Sequence, residues 1–370
     1  MSRWSDWSSG MDGGVGGSNR TVAYINRIGT AVPAHDVHQA FLDFAESLLP
    51  ERTRRVFGRM AERAGIEHRF SCLCPGVDGS FSLDDAGFYT RGAFPSTGAR
   101  MLAYEAGATG LALQAIERLE LGEMAISHLI VASCTGFTAP GLDQLVAERL
   151  GFADTIERTM IGFMGCYAAV PALRAARHIV RSEPEARVLV LNLELCTLHL
   201  QEVSDLETVL SFMLFGDGAA ACLVTAEPTG IALESFRSQR LPGTGELITW
   251  RIGDQGFDMH LSGQVPPTIA AALRAERARN EEGWLGETAG LHWAVHAGGR
   301  TVLDAVEQGV GLGPEALCHS RDVLREIGNV SSATLPHVLA RLMNSGAKGP
   351  GMAMAFGPGL SAETFRFRLV

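Results

Sequence analysis

Three side chains in this sequence are suited to covalent acyl chemistry. Cys166 lies in "MGCYAAVPALRAARHIV" (164–180), between a glycine and an alanine-rich run that opens like a helix. A thiol at the first turn of a helix meets unpaired N–H groups and the positive end of the dipole, both of which favour thiolate. With an imidazole nearby, a cysteine pKa falls from about 8.5 to roughly 3.5–7.5. The reading is therefore an anionic nucleophile, with a small buried apolar residue, the usual fate of a free cysteine, as the alternative. His296 ends an apolar strand ahead of Gly298 and Gly299, so its ring can project into a cavity where backbone approaches a ligand; a satisfied interior histidine is the alternative. Asn329, in "IGNVSSATLPHVLARLM", reads locally as a helix N-cap. Packed beside His296, its carboxamide could instead donate to the oxyanion of a thioester carbonyl. Cys72-x-Cys74 lacks a second pair at zinc-like spacing, so no metal is expected.

The elements that must bring these residues together read as buried strands alternating with helices. "TVAYINRIGTAVP", "HLIVASCTG", "RVLVLNLEL" and "GAAACLV" are short apolar strands, and "ARMLAYEAGATGLALQAIERL" has helical spacing. That alternation predicts a layered α/β fold. The second half repeats the order of the first. "HLIVASCTG" is echoed by "HWAVHAGG", and "FGDGAAACLV" by "FGPGLSAETFRFRLV". Thirty-three residues separate Ser133 from Cys166, and thirty-three separate His296 from Asn329. A duplicated architecture follows, with a Gly/Ser-rich leader over 1–20 expected to be disordered, a half carrying the cysteine over 21–225, and a half carrying the histidine and asparagine over 226–370. Facing halves would join the three residues.

Composition limits the partners. The 370 residues are 46% hydrophobic and 19% charged, enough to fill a large core. A net charge of −10 argues against nucleic acid or an anionic membrane surface, so any polyanionic ligand must meet a local basic patch. No apolar run approaches the ~18 residues of a membrane span, and the N-terminal stretch lacks the apolar core of a secretion signal. Seven scattered cysteines suit a reducing cytoplasm better than a disulfide framework.

"GCYAAVPALR", "LFGDGAAA", "WAVHAGG", "IGNVSSATL" and "FGPGLSAE", in chain order and over nearly the whole length, resemble the type III polyketide synthases, the chalcone-synthase-like branch of the thiolase fold. The resemblance implies a duplicated αβαβα core, a homodimer, and a Cys166–His296–Asn329 triad. It implies acyl-CoA and malonyl-CoA as substrates, with no metal or redox cofactor. Arg59 and Arg63 match positions that bind CoA phosphates, Val56 replaces a third cation for which Arg55 could substitute, and Gly298, Gly299 and Thr301 match contacts to the pantetheine arm. A solvated basic face is the alternative for the arginines. Phe215 and Met259 match two gatekeepers, with core packing as the alternative, and Cys134, Thr135, Cys196, Leu198 and His199 are expected to line the chamber behind them.

Two departures from the plant pattern, Ala297 for proline and Ala168-Ala169-Val170 for a glycine-rich stretch, weaken any inference of product from the plant enzymes. "SCTGFTAPG", "LELCTLH" and "GFDMHL" resemble the bacterial branch that takes fatty acyl starters, which implies alkylpyrone or alkylresorcinol products. Two other classes remain open. A ketoacyl-synthase III-like enzyme would use the same triad, although the His-Gln-Ala-Asn-like run of such carrier-protein enzymes is missing. A non-catalytic acyl-binding protein would need no complete triad.

Overall fold

The computed structural model describes residues 21–76, 82–279 and 283–370. The leader expected over 1–20 lies outside the described residues. The first half runs β1 (Ala23–Ala31), β2 (His35–Asp36), α1 (His38–Leu48), α2 (Glu51–Ala64), β3 (Phe70–Ser71), α3 (Thr97–Glu117), β4 (His128–Ser133), α4 (Leu142–Leu150), β5 (Glu157–Gly162), α5 (Ala169–Ser182), β6 (Val188–Leu195), α6 (Leu206–Phe212) and β7 (Asp217–Thr225). The second runs β8 (Ile231–Arg240), β9 (Ile248–Gly253), β10 (Gly256–Leu261), α7 (Val265–Ala278), β11 (His292–Val295), α8 (Arg300–Val310), α9 (Cys318–Ile327), α10 (Thr334–Asn344), β12 (Gly349–Gly357) and β13 (Ser361–Leu369).

The repeat legible in sequence is a repeat of strand pairing. β4 is parallel to β6, β6 antiparallel to β7, and β7 antiparallel to β1. In the second half β11 is parallel to β12, β12 antiparallel to β13, and β13 antiparallel to β8. A three-residue antiparallel contact, Ala23–Ile25 against Ile231–Leu233, joins the halves into one nine-stranded ladder ordered β11-β12-β13-β8-β1-β7-β6-β4-β5.

Side-chain alternation then sorts the layers, because neighbouring strand residues face opposite sides. On β6, Val188 and Val190 face a core shared with Val170 and Leu173 of α5 and Leu335 and Leu339 of α10. Leu189, Leu191 and Leu193 face the other way, onto Leu111 and Ala115 of α3 and Val146 of α4. On the second half, Val295, Met352 and Met354 face Ile269 and Leu273 of α7 and Leu303 and Val306 of α8. The strands are apolar on both faces because helices cover both. The result is the duplicated αβαβα, thiolase-like α/β fold, with α5 and α10 as the shared middle layer.

Candidate active site

Each of the three residues sits where a strand or loop of one half meets the middle layer. Cys166 lies in a 3-10 turn, Gly165–Tyr167, that feeds α5. Gly165 before it has φ +72, and a Cβ there would lie 2.6 Å from Pro358 Cδ, so only glycine lets the turn seat against the second half. His296 follows β11, its N–H donating to the Met354 carbonyl at 2.8 Å. Gly298 leaves its ring room: a Cβ at Gly298 would lie 3.4 Å from His296 Cδ2 and 3.5 Å from Nε2. Asn329 precedes a second 3-10 turn, Ser331–Ala333, that feeds α10, and it pairs with Phe215 in an isolated parallel bridge. It is thus not the N-cap of α10. Its Oδ1 accepts from Ser331 N at 2.9 Å and from Thr334 Oγ1 at 3.3 Å, which turns Nδ2 toward the Gly298 carbonyl at 3.3 Å.

A buried polar network that sequence reading missed underlies the thiol. Glu194, fully buried on β6, accepts from Cys134 N at 2.9 Å, from Thr135 Oγ1 at 2.8 Å, from Cys134 Sγ at 3.4 Å and from Ser332 Oγ at 2.5 Å. Ser331 Oγ lies 3.4 Å from Cys134 Sγ and donates to Cys166 Sγ at 3.6 Å. Ser331 holds this place at φ +47, a conformation costing a non-glycine residue about 1–3 kcal/mol. The carboxylate thereby fixes the side chains that point the serine hydroxyl at the nucleophile.

Burial pushes the Cys166 thiol up to about 11, with partial relief from the hydrogen bonds of Ser331 and Asn329, and so works against the thiolate expected from its place ahead of a helix. Burial pulls His296 down to about 3, and both its ring nitrogens lack a hydrogen-bond partner among the described residues although the residue is only 1% exposed. Burial thus acts against both the thiolate and the imidazolium, while the Ser331 and Asn329 hydrogen bonds act in favour of the thiolate.

The same burial sets an acid limit on the fold. His199 and His296 are pulled down to about 3 and His337 to about 4, chiefly by burial. Each binds a proton less well folded than unfolded, so stability is fully present above about pH 6.5 and is lost as pH falls, by about 1.4 kcal/mol per unit for each imidazole. Asp217, pushed up to about 6 by burial, works the other way once pH drops below that value. Tm should therefore begin to fall near pH 6.5 and fall most steeply about one unit below it, where the imidazole effect is almost fully developed and still exceeds that of Asp217. Scanning calorimetry between about pH 8 and 5 checks this, and a flat Tm over that range would contradict it.

Cys166, His296 and Asn329 line one cavity of about 420 Å³. Its mouth carries Met60, Arg63, Gly298, Gly299, Arg300 and Thr301, and its inner wall carries Phe215, Ile248 and Met259. Behind that wall, a second, narrow cavity of about 30 Å³ again includes Cys166, with Cys134, Thr135, Cys196, His199 and Trp250. A third, of about 30 Å³, shares Cys196, Phe212 and Phe215 with the second and continues toward Phe41 and Leu83. Phe215 belongs to all three walls.

Leu198 is a correction. It lies in the 3-10 turn Cys196–His199, whose neighbouring side chains face the second cavity, but the turn rotates Leu198 into the outer core beside Leu195. Arg55 and Arg59 are exposed on α2 and outside the cavity wall, which takes Met60, Arg63 and Ala64 from the C-terminal end of that helix. His199 is a wall rather than a titrating group. Its Nε2–H donates to Thr135 O at 2.7 Å, Nδ1 accepts from Phe257 N at 3.1 Å, and its ring stacks on Phe257 at 4.2 Å.

Comparison with known proteins agrees with this architecture. The family model for the N-terminal domain of chalcone and stilbene synthases matches residues 15–228, and that for the C-terminal domain matches residues 232–370. The chain is 30% identical to the "Alpha-pyrone synthesis polyketide synthase-like Pks18" of Mycobacterium tuberculosis, over 95% of this chain and 92% of that one. It is 33% identical to "Type III polyketide synthase C" of Arabidopsis thaliana, over 66% of this chain and 67% of the relative. Among solved structures, the C-terminal type III polyketide synthase domain of Steely1 from Dictyostelium superposes with a TM-score of 0.85 at 23% identity, covering 94% of this chain and 99% of that one. PKS-I of the brown alga Ectocarpus siliculosus gives 0.82 at 27%, covering 96% and 100%. Doubled sheet, shared cavity and both family models converge: the chain belongs to the chalcone and stilbene synthase family, the type III polyketide synthases.

Proposed function

We propose that this enzyme transfers a long-chain fatty acyl group from CoA to Cys166, extends it with malonyl-CoA, and releases an alkylpyrone or alkylresorcinol. The observation that supports the starter is the mostly apolar lining that Phe215, Trp250 and Met259 give the small cavity beside Cys166, which must widen to take a chain. Met259 is unbranched and can repack around a chain that passes it. Pks18, by its name, serves alpha-pyrone synthesis, which supports the pyrone alternative.

The chemistry follows from the groups at hand. As the starter thioester fills the cavity, His296 accepts the Cys166 proton and the sulfur attacks the carbonyl; Ser331 donates to the sulfur, and CoA leaves with the proton. Malonyl-CoA then binds with its thioester oxygen toward His296 and Asn329 Nδ2. Loss of CO2 leaves an enolate on that oxygen, and preorganised donors there contribute about 3–4 kcal/mol each. The enolate carbon attacks the acyl-Cys166 thioester, the C–S bond breaks, and the chain, two carbons longer, is carried on CoA. No cofactor takes part in these steps.

The test is incubation of purified enzyme with labelled malonyl-CoA and a panel of acyl-CoAs, with mass spectrometry of the products. Long-chain starters should give alkylpyrones or alkylresorcinols; far faster use of acetyl-CoA or an aromatic starter overturns the starter assignment.

Two further readings belong with this one. All seven cysteines are unpaired, which supports a cytoplasmic setting. No helix among the described residues is long and apolar enough to cross a membrane. The open edge of β5, exposed along Glu157–Met160 with Met160 at 38%, supports pairing with a second copy, since a bare strand edge is a template for association. Light scattering should give twice the chain mass, and Met160→Asp should shift it toward the single chain. A wild-type protein at single-chain mass rejects the dimer.

A further inference from the structure

We infer that Arg300, with Arg63, binds the diphosphate of the CoA thioester, supplying the cation that the α2 helix lacks at Val56. This rests on the CoA-dependent reading above and adds a residue to it. Arg300 opens α8 at the mouth of the main cavity, directly after the Gly298-Gly299 stretch that borders His296. Its Nη1 donates to the Arg63 carbonyl at 3.0 Å, which locks the first turn of α8 to the last turn of α2. Two arginines from distant parts of the chain thus line one cavity, tied together through the Arg63 backbone, and two cations in one lining suit a ligand with two adjacent phosphates.

The remaining partners of Arg300 leave it available. Asp304 lies one turn on at 3.9 Å from Nε, beyond hydrogen-bond distance, and its other oxygen is held by Arg321 Nη2 at 2.7 Å. Arg300 is 54% exposed in its side chain, so this pair contributes little. Arg63 is also exposed and makes no ion pair among the described residues. Glu207 of α6 also lines the cavity, its Oε1 accepting from Gly263 N at 3.1 Å. A carboxylate repels phosphates, so the part of the lining that attracts them is that of Arg63 and Arg300. In a chain of net charge −10, such a local pair is what a polyanionic substrate requires.

The experiment compares malonyl-CoA with malonyl-N-acetylcysteamine, a thioester that keeps the reacting group and lacks the diphosphate, in wild type, Arg300→Gln and Arg300→Lys. Arg300→Gln should raise the KM for malonyl-CoA about 10-fold at low salt, with kcat within about twofold, and leave the N-acetylcysteamine thioester unchanged. Arg300→Lys should recover most of the loss, and added salt should narrow the gap between wild type and Arg300→Gln. Equal losses with both thioesters would assign Arg300 a purely structural role and overturn the inference, as would unchanged kinetics with malonyl-CoA. Wild-type enzyme that consumes neither thioester overturns the condensing reaction itself, and this inference with it.

Discussion

Replacement of Cys166 by alanine is expected to leave a folded protein that makes no extended product, with turnover down at least about 10³-fold. No neighbouring thiol can take over. Cys134 and Cys196 line the adjoining cavity and not the one lined by His296 and Asn329, and burial first, then the Glu194 carboxylate, raises both thiols well above the ordinary value. The loss should come without unfolding, because Cys166 faces a cavity and its removal uncovers no buried charge. Wild-type labelling by iodoacetamide adds a second readout. With the thiol pushed up to about 11, inactivation should keep accelerating from neutral pH toward about pH 10, and acyl-CoA should protect. A plateau already reached near pH 7 would show a resting thiolate, and retained product formation in the alanine variant would remove Cys166 from the reaction.

His296→Ala should separate the two half-reactions. Release of labelled CO2 from malonyl-CoA should fall about 10²–10³-fold, and Asn329→Ala should lower it comparably, whereas Cys166→Ala should retain it. The reason is geometric. His296 is buried with neither ring nitrogen bonded among the described residues, and Asn329, its acceptor end held by Ser331 and Thr334, directs its Nδ2 donors to the Gly298 carbonyl and to Cys166 at the cavity wall. The sulfur is required only when a chain must be held. CO2 release at the wild-type rate without His296 would place the enolate elsewhere.

The doubled plan was legible from the chain because burial on both faces writes a strand as a short apolar run, and Gly-rich turns mark where each run stops. Cys166, His296 and Asn329 stood out because each adjoins such a turn, whereas Phe215 and Met259 were marked only by the resemblance to the family. Glu194 was not. It stands inside "RVLVLNLEL" as one polar letter in an apolar strand, and only the meeting of that strand with the Ser331 turn, 137 residues later, gives it partners. Protonation was illegible too. A local dipole favours thiolate, but the burial that opposes it comes from seating the turn against Pro358 of the other half. Leu198 shows the limit of proximity in sequence: one step along a 3-10 turn is enough to send a side chain from the chamber to the outer core.

The isolated bridge between Phe215 and Asn329 carries a kinetic consequence. Gly216 N bonds to the Asn329 carbonyl at 3.0 Å and Asn329 N to the Leu214 carbonyl at 2.8 Å, so the backbone under the aromatic ring and the backbone under the carboxamide move as one piece. An acyl group too wide for the passage can be admitted only by shifting that piece, which tilts the amide away from the developing negative charge. Ill-fitting starters would therefore be discriminated by slow turnover more than by weak attachment, a kinetic sieve built from two backbone hydrogen bonds.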